Sequence, residues 1–503
     1  MNADAPSTTS GAPSCYRGKR VVRRTKIVAT LGPASESPEV LEAMIRAGTD
    51  VVRMNFSHGT REDHLLRTRR VREAAVRAGC EIAILGDLQG PKIRIERFRG
   101  GAVDLAEGAE FVLDANLDPE AGDVHRVGLT YKDLPRDVAP GDQLLLDDGR
   151  IVLEVTRVTD SEVHTRVVVG GRLSNNKGLN LRGGGLSAGA LTDKDRRDIE
   201  LAAELEVDYL AVSFPRSAED LREARQLLRE AGGKAGIVAK IERAEAIEPG
   251  VIEEIIAESD AIMIARGDLG VEIGDAELPA VQKRLIHLAR TMDRIVITAT
   301  QMMESMIENP IPTRAEVFDV ANAVLDGTDA VMLSGETAVG RFPVQVVRAM
   351  GEICAAAEKE RTARRSDHRI NTQFTRIDEA IAMSTMYAAN HLGVKAIAAL
   401  TESGSTPRWM SRISSGIPIY AMTEHQDTRR RVKLYRGVYP VDFPIKTTSH
   451  ARANITAVNI LKEHGVVRDG DLVIITKGDL MGQGGGTNAM KIVRVGELVE
   501  PLD

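Results

Sequence analysis

Short apolar runs alternate with amphipathic segments along most of the chain from Thr25 onward. A short apolar run is typical of a strand buried on both faces, whereas apolar residues spaced three or four apart are typical of a helix that packs one face. The predicted strands are Lys26–Leu31, Val51–Phe56, Ile82–Gly86, Tyr209–Phe214, Gly236–Ile241, Ala261–Ala265, Ile295–Ala299 and Ala330–Leu333. The predicted helices between them include Glu39–Ala47, Glu62–Ala78, Leu278–Met292 and Pro343–Glu358. Eight such β/α units predict an α/β protein built on a closed (β/α)8 barrel.

One long interruption, residues 92–190, follows the third predicted strand. Its β-prone pieces are separated by Asp-Gly, Pro-Gly and Gly-Gly turns, and they are Glu110–Leu113, Gln143–Leu146, Ile151–Val158 and Val163–Val169. This pattern predicts a small all-β barrel domain inserted into the larger barrel. An insertion on the catalytic face of a barrel can act as a lid that excludes water.

The last third of the chain alternates again, which predicts an open α/β sheet. Its predicted strands are Ala396–Leu400, Ile417–Met422, Val438–Val441 and Leu472–Thr476. The predicted domains are therefore a disordered tail at 1–20, a (β/α)8 barrel at 21–91 and 191–365, an inserted β domain at 92–190, and a C-terminal α/β domain at 366–503.

Composition excludes several classes of function. The net charge is −7 and only 3% of residues are aromatic, which argues against a nucleic-acid partner. No apolar run approaches the ~20 residues that a membrane span needs, and the N-terminal tail lacks the apolar core of a signal peptide. Cys15, Cys80 and Cys354 lie far apart without CxxC spacing, which favours reduced cysteines in a cytoplasmic protein.

Charged and polar residues gather at the predicted carboxyl ends of the barrel strands, where the active site of such a barrel lies. In chain order, the residues read off these strand ends are Arg53, Asn55, Ser57, His58, Asp87, Lys92, Arg94, Ser213, Phe214, Lys240, Glu242, Arg266, Gly267, Asp268, Thr300, Gln301, Ser334 and Glu336. A single charge at a strand end is ordinary. So dense a mixture of cations and carboxylates predicts a site.

The residue types indicate the chemistry of this site. Arg53, Arg94 and Lys240 imply a polyanionic substrate, most simply one with phosphate and carboxylate groups. Glu242 and Asp268 are hard oxygen donors without nearby His or Cys, which suits Mg²⁺ or Mn²⁺ rather than Zn²⁺. A divalent ion beside a fixed lysine is equipment for phosphoryl transfer. For Asp268 alone, the alternative is a carboxylate that merely caps the next helix.

Two nucleotide-binding motifs are absent. Gly335–Phe342 has the glycine spacing of a Walker A loop but lacks its Lys and its Ser or Thr, and the Gly-rich stretches at 183–185 and 482–486 contain no GxGxxG. A nucleotide would have to bind by another route.

Six stretches together resemble the pyruvate kinase family, and Leu85–Gly90 resembles its bacterial subgroup. They are Met54–Gly59, Gly90–Arg94, Lys240–Glu242, Arg266–Glu272, Thr300–Met306 and Leu333–Ala338. The likeness runs from about Thr25 to the C-terminus in the family's order. It implies Mg²⁺-dependent phosphoryl transfer from phosphoenolpyruvate to ADP, giving pyruvate and ATP in the last step of glycolysis.

The resemblance also implies roles for particular residues. Glu242 and Asp268 would bind Mg²⁺, Lys240 would stabilise the phosphoryl group in flight, and Arg53 would hold its phosphate. Thr300 and the N–H groups of Gly267 and Asp268 would hold the substrate carboxylate, and the enolate would be protonated from the Thr300 side, through water. The residues implied to contact ADP or ATP are Asn55, His58, Arg94 and, in the inserted domain, Lys177. The alternative for Lys177 is a solvated loop lysine.

One position departs from the family members that need K⁺. These have Glu where this chain has Lys92, and a fixed ammonium can supply the charge that K⁺ otherwise supplies. The monovalent-cation residues Asn55, Ser57, Asp87 and the Leu88 carbonyl still match. We therefore predict a K⁺ site that activity does not require.

The C-terminal domain contains a hydroxyl-rich segment at the start of a predicted helix, a natural phosphate nest. The segment comprises Thr401, Ser403, Gly404, Ser405 and Thr406, with Glu402 among them. In the family this loop binds an allosteric sugar phosphate. The Glu402 carboxylate disfavours a second phosphate, so the effector predicted here is a sugar monophosphate or AMP rather than fructose 1,6-bisphosphate. The alternative is a capped helix without an effector. The resemblance further implies a homotetramer.

Two other functions compete with a metabolic kinase. A barrel lyase or aldolase acting on phosphoenolpyruvate or pyruvate with Mg²⁺ would share the Arg, Glu and Asp residues, but would need neither the inserted lid nor Lys177. An effector-sensing relative with an inactive barrel is disfavoured because Lys240, Glu242, Asp268 and Thr300 occur together.

Overall fold

Eight parallel strands form a closed barrel at the centre of the protein. The computed structural model describes residues 23–360, 373–444, 449–479 and 486–497. With strands numbered along the whole chain, those of the barrel are β1 (Lys26–Thr30), β2 (Val51–Asn55), β3 (Ala83–Asp87), β12 (Tyr209–Val212), β13 (Gly236–Ile241), β14 (Ala261–Ala265), β15 (Ile295–Ala299) and β16 (Ala330–Leu333). Their order around the barrel is β1-β16-β15-β14-β13-β12-β3-β2. The (β/α)8 prediction is confirmed, with strand limits that differ by at most two residues.

Helices cover the outside of the barrel and bury their apolar faces against it. They are α1 (Pro38–Ala47), α2 (Arg61–Ala78), α4 (Asp193–Glu204), α5 (Ala218–Glu230), α6 (Val251–Glu258), α7 (Arg266–Ile273), α8 (Leu278–Thr291), α9 (Arg314–Asp326), α10 (Gly335–Ala338) and α11 (Pro343–Ala357). Local signals set their ends. Thr60 accepts the Asp63 N–H in a capping box before α2, and Gly79 ends that helix in the left-handed conformation.

The inserted segment is all-β apart from one short helix, α3 (Leu134–Asp137). Its strands are β4 (Ala102–Leu105), β5 (Glu110–Asp114), β6 (Arg126–Gly128), β7 (Gln143–Leu146), β8 (Ile151–Val158), β9 (Glu162–Val169), β10 (Gly171–Ser174) and β11 (Leu179–Leu181). Six of them form the sheet β11-β7-β8-β9-β5-β6, and β10 pairs with β4. Apolar side chains such as Phe111, Leu144 and Val163 fill a core separate from that of the large barrel.

The C-terminal segment is an α/β layer with a five-stranded sheet in the order β19-β18-β17-β20-β21. The strands are β17 (Ala396–Leu400), β18 (Ile419–Thr423), β19 (Val438–Asp442), β20 (Leu472–Gly478) and β21 (Thr487–Arg494). The helices are α12 (Ile377–Leu392), α13 (Ser405–Ser411), α14 (Gln426–Arg431) and α15 (His450–Glu463). The open α/β prediction is confirmed, but β21 was not predicted. It pairs antiparallel to β20, and half of its residues are exposed without a regular alternation, so its apolar signal is weak.

A buried ion pair joins this C-terminal layer to the amino end of the barrel. Arg412 donates to the Asp329 carboxylate through both terminal guanidinium nitrogens, Nη1 and Nη2, and each side chain is only 1% exposed. The Asp329 carboxylate also accepts the N–H groups of Val296 and Arg436, at 3.0 and 3.2 Å. The pair lies at the opposite end of the barrel from the carboxyl ends of its strands.

Some expectations lie partly outside the residues that the structure describes. These include the tail at 1–20 with Cys15, and part of the predicted boundary near residue 365. Cys354 is buried and free, but Cys80 is disulfide-bonded, so the expectation of reduced cysteines is wrong for Cys80. Within the described ranges, no helix is long and apolar enough to span a membrane.

Candidate active site

A cavity of about 230 Å³ opens at the carboxyl ends of the barrel strands, beneath the inserted domain. The predicted site residues that line it are Arg53, Asn55, Ser57, His58, Asp87, Leu88, Lys92, Arg94, Lys240, Glu242, Asp268 and Thr300. They come from five strands and the loops that follow them, because parallel strands bring their carboxyl ends to one rim. The structure thus brings together residues that are up to 247 positions apart in the sequence (300 minus 53).

Asp87, at the end of β3, lies between two cations. Its carboxylate accepts Arg53 Nε at 2.5 Å and lies 3.2 Å from Lys240 Nζ. Burial alone would raise the pKa of Asp87, but Lys240 and Arg53 together hold it below the ordinary value. Asp87 is therefore ionised and fixes the directions of both cations.

Lys240 is the most closely held cation of the cavity. Besides Asp87, its ammonium group lies 3.0 Å from Glu242 Oε1 and donates to Ser213 Oγ at 2.6 Å. Burial would lower the pKa of Lys240, but the carboxylates of Asp87 and Glu242 outweigh it and raise the pKa above its ordinary value. Lys240 therefore keeps its charge although its side chain is buried, and it can stabilise a negative group that enters the cavity.

Two carboxylates face the cavity from adjacent strands. Glu242 follows β13 and is buried, and Asp268 lies in the first turn of α7, which begins directly after β14. Burial raises the pKa of Glu242, Lys240 offsets part of this, and the charges of Asp268 and Asp87 add to it. Two carboxylates that repel each other in this way would be stabilised by a cation between them.

The donor set fits a hard divalent ion better than zinc. Among the described residues, no group of three or more His, Cys, Asp or Glu side chains is arranged to hold a metal. Mg²⁺ needs fewer protein ligands, since it commonly binds one or two carboxylates and completes its octahedron with water and substrate phosphate. Glu242 and Asp268 are the residues that would hold it.

Lys92 contacts one of these carboxylates directly. Its Nζ lies 3.2 Å from Asp268 Oδ1, and both side chains are partly exposed. Lys92 therefore places a positive charge in the cavity, on the chain segment that leaves the barrel for the inserted domain.

The loop after β15 has an unusual backbone at the site. Thr300 and Gln301 have φ angles of 66° and 51°, in the left-handed region that residues other than glycine seldom adopt. Arg266, which is buried, holds this loop by donating to the carbonyls of both residues, at 2.7 and 3.1 Å from Nη2. The strand-end cation Arg266 thus supports the loop and does not line the cavity.

The predicted carboxylate-binding groups lie together at the start of α7. The Gly267 N–H donates to Thr300 Oγ1 at 2.8 Å, and this hydroxyl donates to the Ala299 carbonyl at 2.7 Å. Thr300 and Asp268 line the cavity, whereas Gly267 contributes its backbone next to them. Their role toward a substrate carboxylate remains a prediction.

Lys177 is a predicted nucleotide-binding residue that the structure does not bring into the cavity. It ion-pairs with Asp147 in the inserted domain at 2.7 Å. Its neighbour Asn176 is connected to the cavity, because the Asn176 carbonyl accepts a hydrogen bond of 2.8 Å from the cavity residue Arg94. Nothing in the local pattern indicates the pair with Asp147, because the two residues lie 30 positions apart in the chain (177 minus 147).

Several residues that line the cavity were not assigned a role from the sequence. They are Gln89, Phe214, Met263, Ala265, Met332 and Ser334. Phe214 adopts a φ of 55°, and its N–H donates to Glu242 Oε2 at 2.7 Å, which fixes the orientation of that carboxylate. Phe214 ends a predicted strand and Ser334 follows one, and both were among the strand-end residues named from the sequence, without an individual role.

The predicted effector loop, Thr401–Thr406, precedes and opens helix α13. The Thr401 hydroxyl accepts the N–H of Gly404, and Gly404 has a φ of 80°. Glu402 turns its carboxylate away to His425, with a distance of 2.6 Å between Oε2 and Nε2. Its charge is therefore directed at an imidazole rather than at the hydroxyls.

The chain matches known proteins over nearly its whole length. Residues 22–347 match the family model described as pyruvate kinase, barrel domain, and residues 379–493 match pyruvate kinase, alpha/beta domain. The chain is 58% identical over 478 residues to pyruvate kinase II of Salmonella typhimurium, covering 95% of this chain and 99% of the relative. It is 56% identical over 467 residues to pyruvate kinase of Haemophilus influenzae, covering 92% and 97%, and 42% identical over 481 residues to that of Geobacillus stearothermophilus, covering 95% and 81%. The chain therefore belongs to the pyruvate kinase family of phosphotransferases.

Proposed function

We propose that this protein transfers the phosphoryl group of phosphoenolpyruvate to ADP, giving pyruvate and ATP, as the last step of glycolysis. The observation that carries the proposal is the position of Lys240, a buried and charged ammonium 3.0 Å from Glu242 and 3.2 Å from Asp87. A phosphoryl group that moves between two oxygen atoms is stabilised by a positive charge already fixed beside its path. Without such a charge, solvent dipoles would have to reorient during the reaction, which costs free energy.

Substrate binding would use the remaining charged groups of the cavity. Arg53, held by Asp87, would bind the phosphate of phosphoenolpyruvate. Thr300 and the adjoining N–H groups of Gly267 and Asp268 would orient its carboxylate. After transfer, the enolate carbon would take a proton from the Thr300 side through water.

Glu242 and Asp268 would hold Mg²⁺ or Mn²⁺. When bound, this ion would supply positive charge to the phosphate oxygens and help to align them. The negative charge of Asp268, which adds to the cost of ionising the buried Glu242, supports this role.

K⁺ would be optional. The residues that would bind it are Asn55, Ser57, Asp87 and the carbonyl of Leu88, all of which line the cavity. The contact between Lys92 and Asp268 supports independence from K⁺, because it supplies a resident positive charge at the same rim.

The nucleotide would lie between the barrel and the inserted domain. Asn55, His58 and Arg94 line that side of the cavity and would contact ADP. Lys177 would reach the nucleotide only if its pair with Asp147 gives way. Residues 92–190 would then act as a lid over the catalytic barrel formed by 21–91 and 191–365.

Residues 366–503 would form a regulatory domain. The Thr401–Thr406 loop, with hydroxyls and backbone N–H groups at the start of α13, would bind the phosphate of a sugar monophosphate or AMP. The pairing of Glu402 with His425 supports the binding of one phosphate at this loop, because it directs the carboxylate away from the hydroxyls.

We further propose a homotetramer that works in the cytoplasm. Large apolar side chains on and beside α9 support self-association, since Ile311 is 72% and Phe318 is 69% exposed.

The test is pyruvate release from phosphoenolpyruvate and Mg²⁺, with and without ADP, in Na⁺ and then K⁺ at constant ionic strength. ADP-dependent release in both salts is the expected result. Release without ADP would favour a lyase or aldolase. No release in any condition, even with sugar phosphates or AMP, would favour an effector-sensing protein with an inactive barrel.

A further inference from the structure

Helix α7 is attached to both chain segments that connect the barrel with the inserted domain. The outgoing segment reaches it through Lys92, which contacts Asp268. The returning segment reaches it one turn later, at Glu272, because the Gly183 N–H donates to the Glu272 carbonyl at 3.1 Å. Residues four apart lie on the same face of a helix, so both attachments share the face that carries Asp268.

The Glu272 side chain adds two further connections. Its Oε2 accepts the N–H of Ala244 at 2.8 Å, in the loop that begins with Glu242. Its Oε1 accepts the Asn180 amide of β11 at a longer 3.4 Å. Glu272 therefore bridges three parts of the molecule, namely α7, the loop after β13 and the returning strand of the inserted domain.

A small cavity lies at this junction. It measures about 20 Å³, room for about one water molecule. Lys92, Asn180, Arg243, Asp268 and Glu272 are among the residues that line it. The residues that attach the inserted domain and a predicted metal-binding carboxylate thus surround one shared space.

Keeping a carboxylate here costs stability. Glu272 is 6% exposed and, among the described residues, it forms no ion pair. Burial raises its pKa to about 7, the charge of Glu245 adds to this, and the Ala244 and Asn180 hydrogen bonds and the charge of Arg243 offset only part. Buried polar groups that break the local rule for a stable core are often found at functional sites.

We propose, on the basis of the function proposed above, that Glu272 is a positioning residue that couples the seating of the inserted domain to the position of Asp268. When the returning segment is seated, Glu272 holds α7 against the loop that carries Glu242. The two carboxylates then take the separation that a shared divalent ion requires. Glu272 itself touches no reacting atom.

The coupling is tested by Glu272→Ala, Glu272→Gln and Asn180→Ala, with Glu277→Gln as the control. Glu277 is an exposed glutamate just after α7 whose side chain makes no hydrogen bond or ion pair among the described residues. The first readout is amide hydrogen exchange of peptides covering 179–186 and 266–273 in the resting protein. The second is the Mg²⁺ concentration for half-maximal activity.

The expected result is faster exchange in both segments for Glu272→Ala and, more weakly, for Asn180→Ala, although the latter substitution lies outside α7. The Mg²⁺ concentration for half-maximal activity should rise about tenfold in Glu272→Ala. A change of this size is typical when a group that orients a metal ligand is lost. Glu272→Gln keeps an acceptor for Ala244 and should restore most of both values. If Glu272→Ala does not fold, Asn180→Ala carries the test, and Glu272→Gln is the variant that should resemble the wild type.

Unchanged exchange at 266–273 and unchanged Mg²⁺ half-saturation, with only a lower melting temperature, would overturn the proposal. Glu272 would then be a purely structural residue. Wild-type protein without ADP-dependent pyruvate release would instead refute the proposed function, while the exchange measurement would still decide whether Glu272 couples the inserted domain to α7.

Discussion

Replacing Lys92 with methionine should make the enzyme depend on K⁺. The change removes the ammonium group 3.2 Å from Asp268 and keeps an unbranched apolar chain of similar length. At this separation the attraction of two unit charges is about 5 kcal/mol at an effective dielectric constant of about 20, and about 1 kcal/mol in water. The two side chains are 32% and 23% exposed, so a value between these limits applies.

We expect the Lys92 charge to act on the transferring phosphoryl group with a similar strength, and a loss of about 2 kcal/mol of transition-state stabilisation corresponds to about thirtyfold in rate. We therefore expect kcat/KM for phosphoenolpyruvate in Lys92→Met to fall about thirtyfold in Na⁺. K⁺ should restore most of the activity, because Asn55, Ser57 and Asp87 remain in place to bind it. Wild-type activity should change by less than about threefold between the two salts.

The assay is initial-rate pyruvate formation in Na⁺ and K⁺ at equal ionic strength. Lys132→Met is a matched control, because Lys132 also forms a 3.2 Å ion pair, with Glu96, but in the inserted domain outside the cavity. It should behave like the wild type in both salts. An equal loss for Lys92→Met in Na⁺ and K⁺, or a large loss for the wild type in Na⁺, would refute the reasoning.

Four further outcomes are expected. Glu242→Gln should lower Mg²⁺-activated turnover at least about hundredfold in a Mg²⁺ titration, because it removes a charged donor from a buried site. Lys177→Ala should raise KM for ADP more than it lowers kcat, and unchanged kinetics would mean that this lysine only stabilises its loop. Removing the Ser403 and Ser405 hydroxyls together should abolish activation by AMP or ribose 5-phosphate, measured as the phosphoenolpyruvate concentration for half-maximal rate. Glu272→Gln should raise the melting temperature at pH 8 but not near pH 4.5. Glu272 keeps its proton up to about pH 7 in the folded protein, whereas the unfolded chain releases it near pH 4.5. Between these pH values the folded state binds more protons than the unfolded state. The stability of the wild type therefore falls as the pH rises across that window.

Each of these has its own contradicting result. Activation of Glu242→Gln by Mg²⁺ at wild-type concentrations would remove Glu242 from the metal site. Normal activation of the double serine variant would move the effector elsewhere. Equal melting shifts for Glu272→Gln at both pH values would mean that the proton held by Glu272 does not contribute to stability.

The barrel and the residues that line its cavity were predictable from the sequence because burial dictates them. Strands enclosed on both faces must be apolar, so Ala261–Ala265 and Ile295–Ala299 were predicted to the residue. The polar residues that follow such strands must meet at one rim, which is why Arg53, Lys240 and Asp268 were found together.

Features that depend on tertiary pairing were not predictable. Nothing in the local pattern pairs Lys177 with Asp147 or attaches Glu272 to the returning segment of the inserted domain. The left-handed backbone at Thr300 is equally invisible, because threonine adopts it only when surrounding contacts such as those of Arg266 compensate for the strain. These contacts exist only after distant segments have packed.

The buried pair of Arg412 and Asp329 limits how the chain can be divided. Each side chain is 1% exposed, so each charge depends on a partner that the other segment supplies. Replacing Arg412 alone would leave Asp329 buried without its guanidinium partner, and breaking such a pair costs about 3–5 kcal/mol. That is a large fraction of the stability of a typical domain. The C-terminal segment is therefore not a detachable accessory, and shuffling or trimming at this junction would have to replace both charges at once.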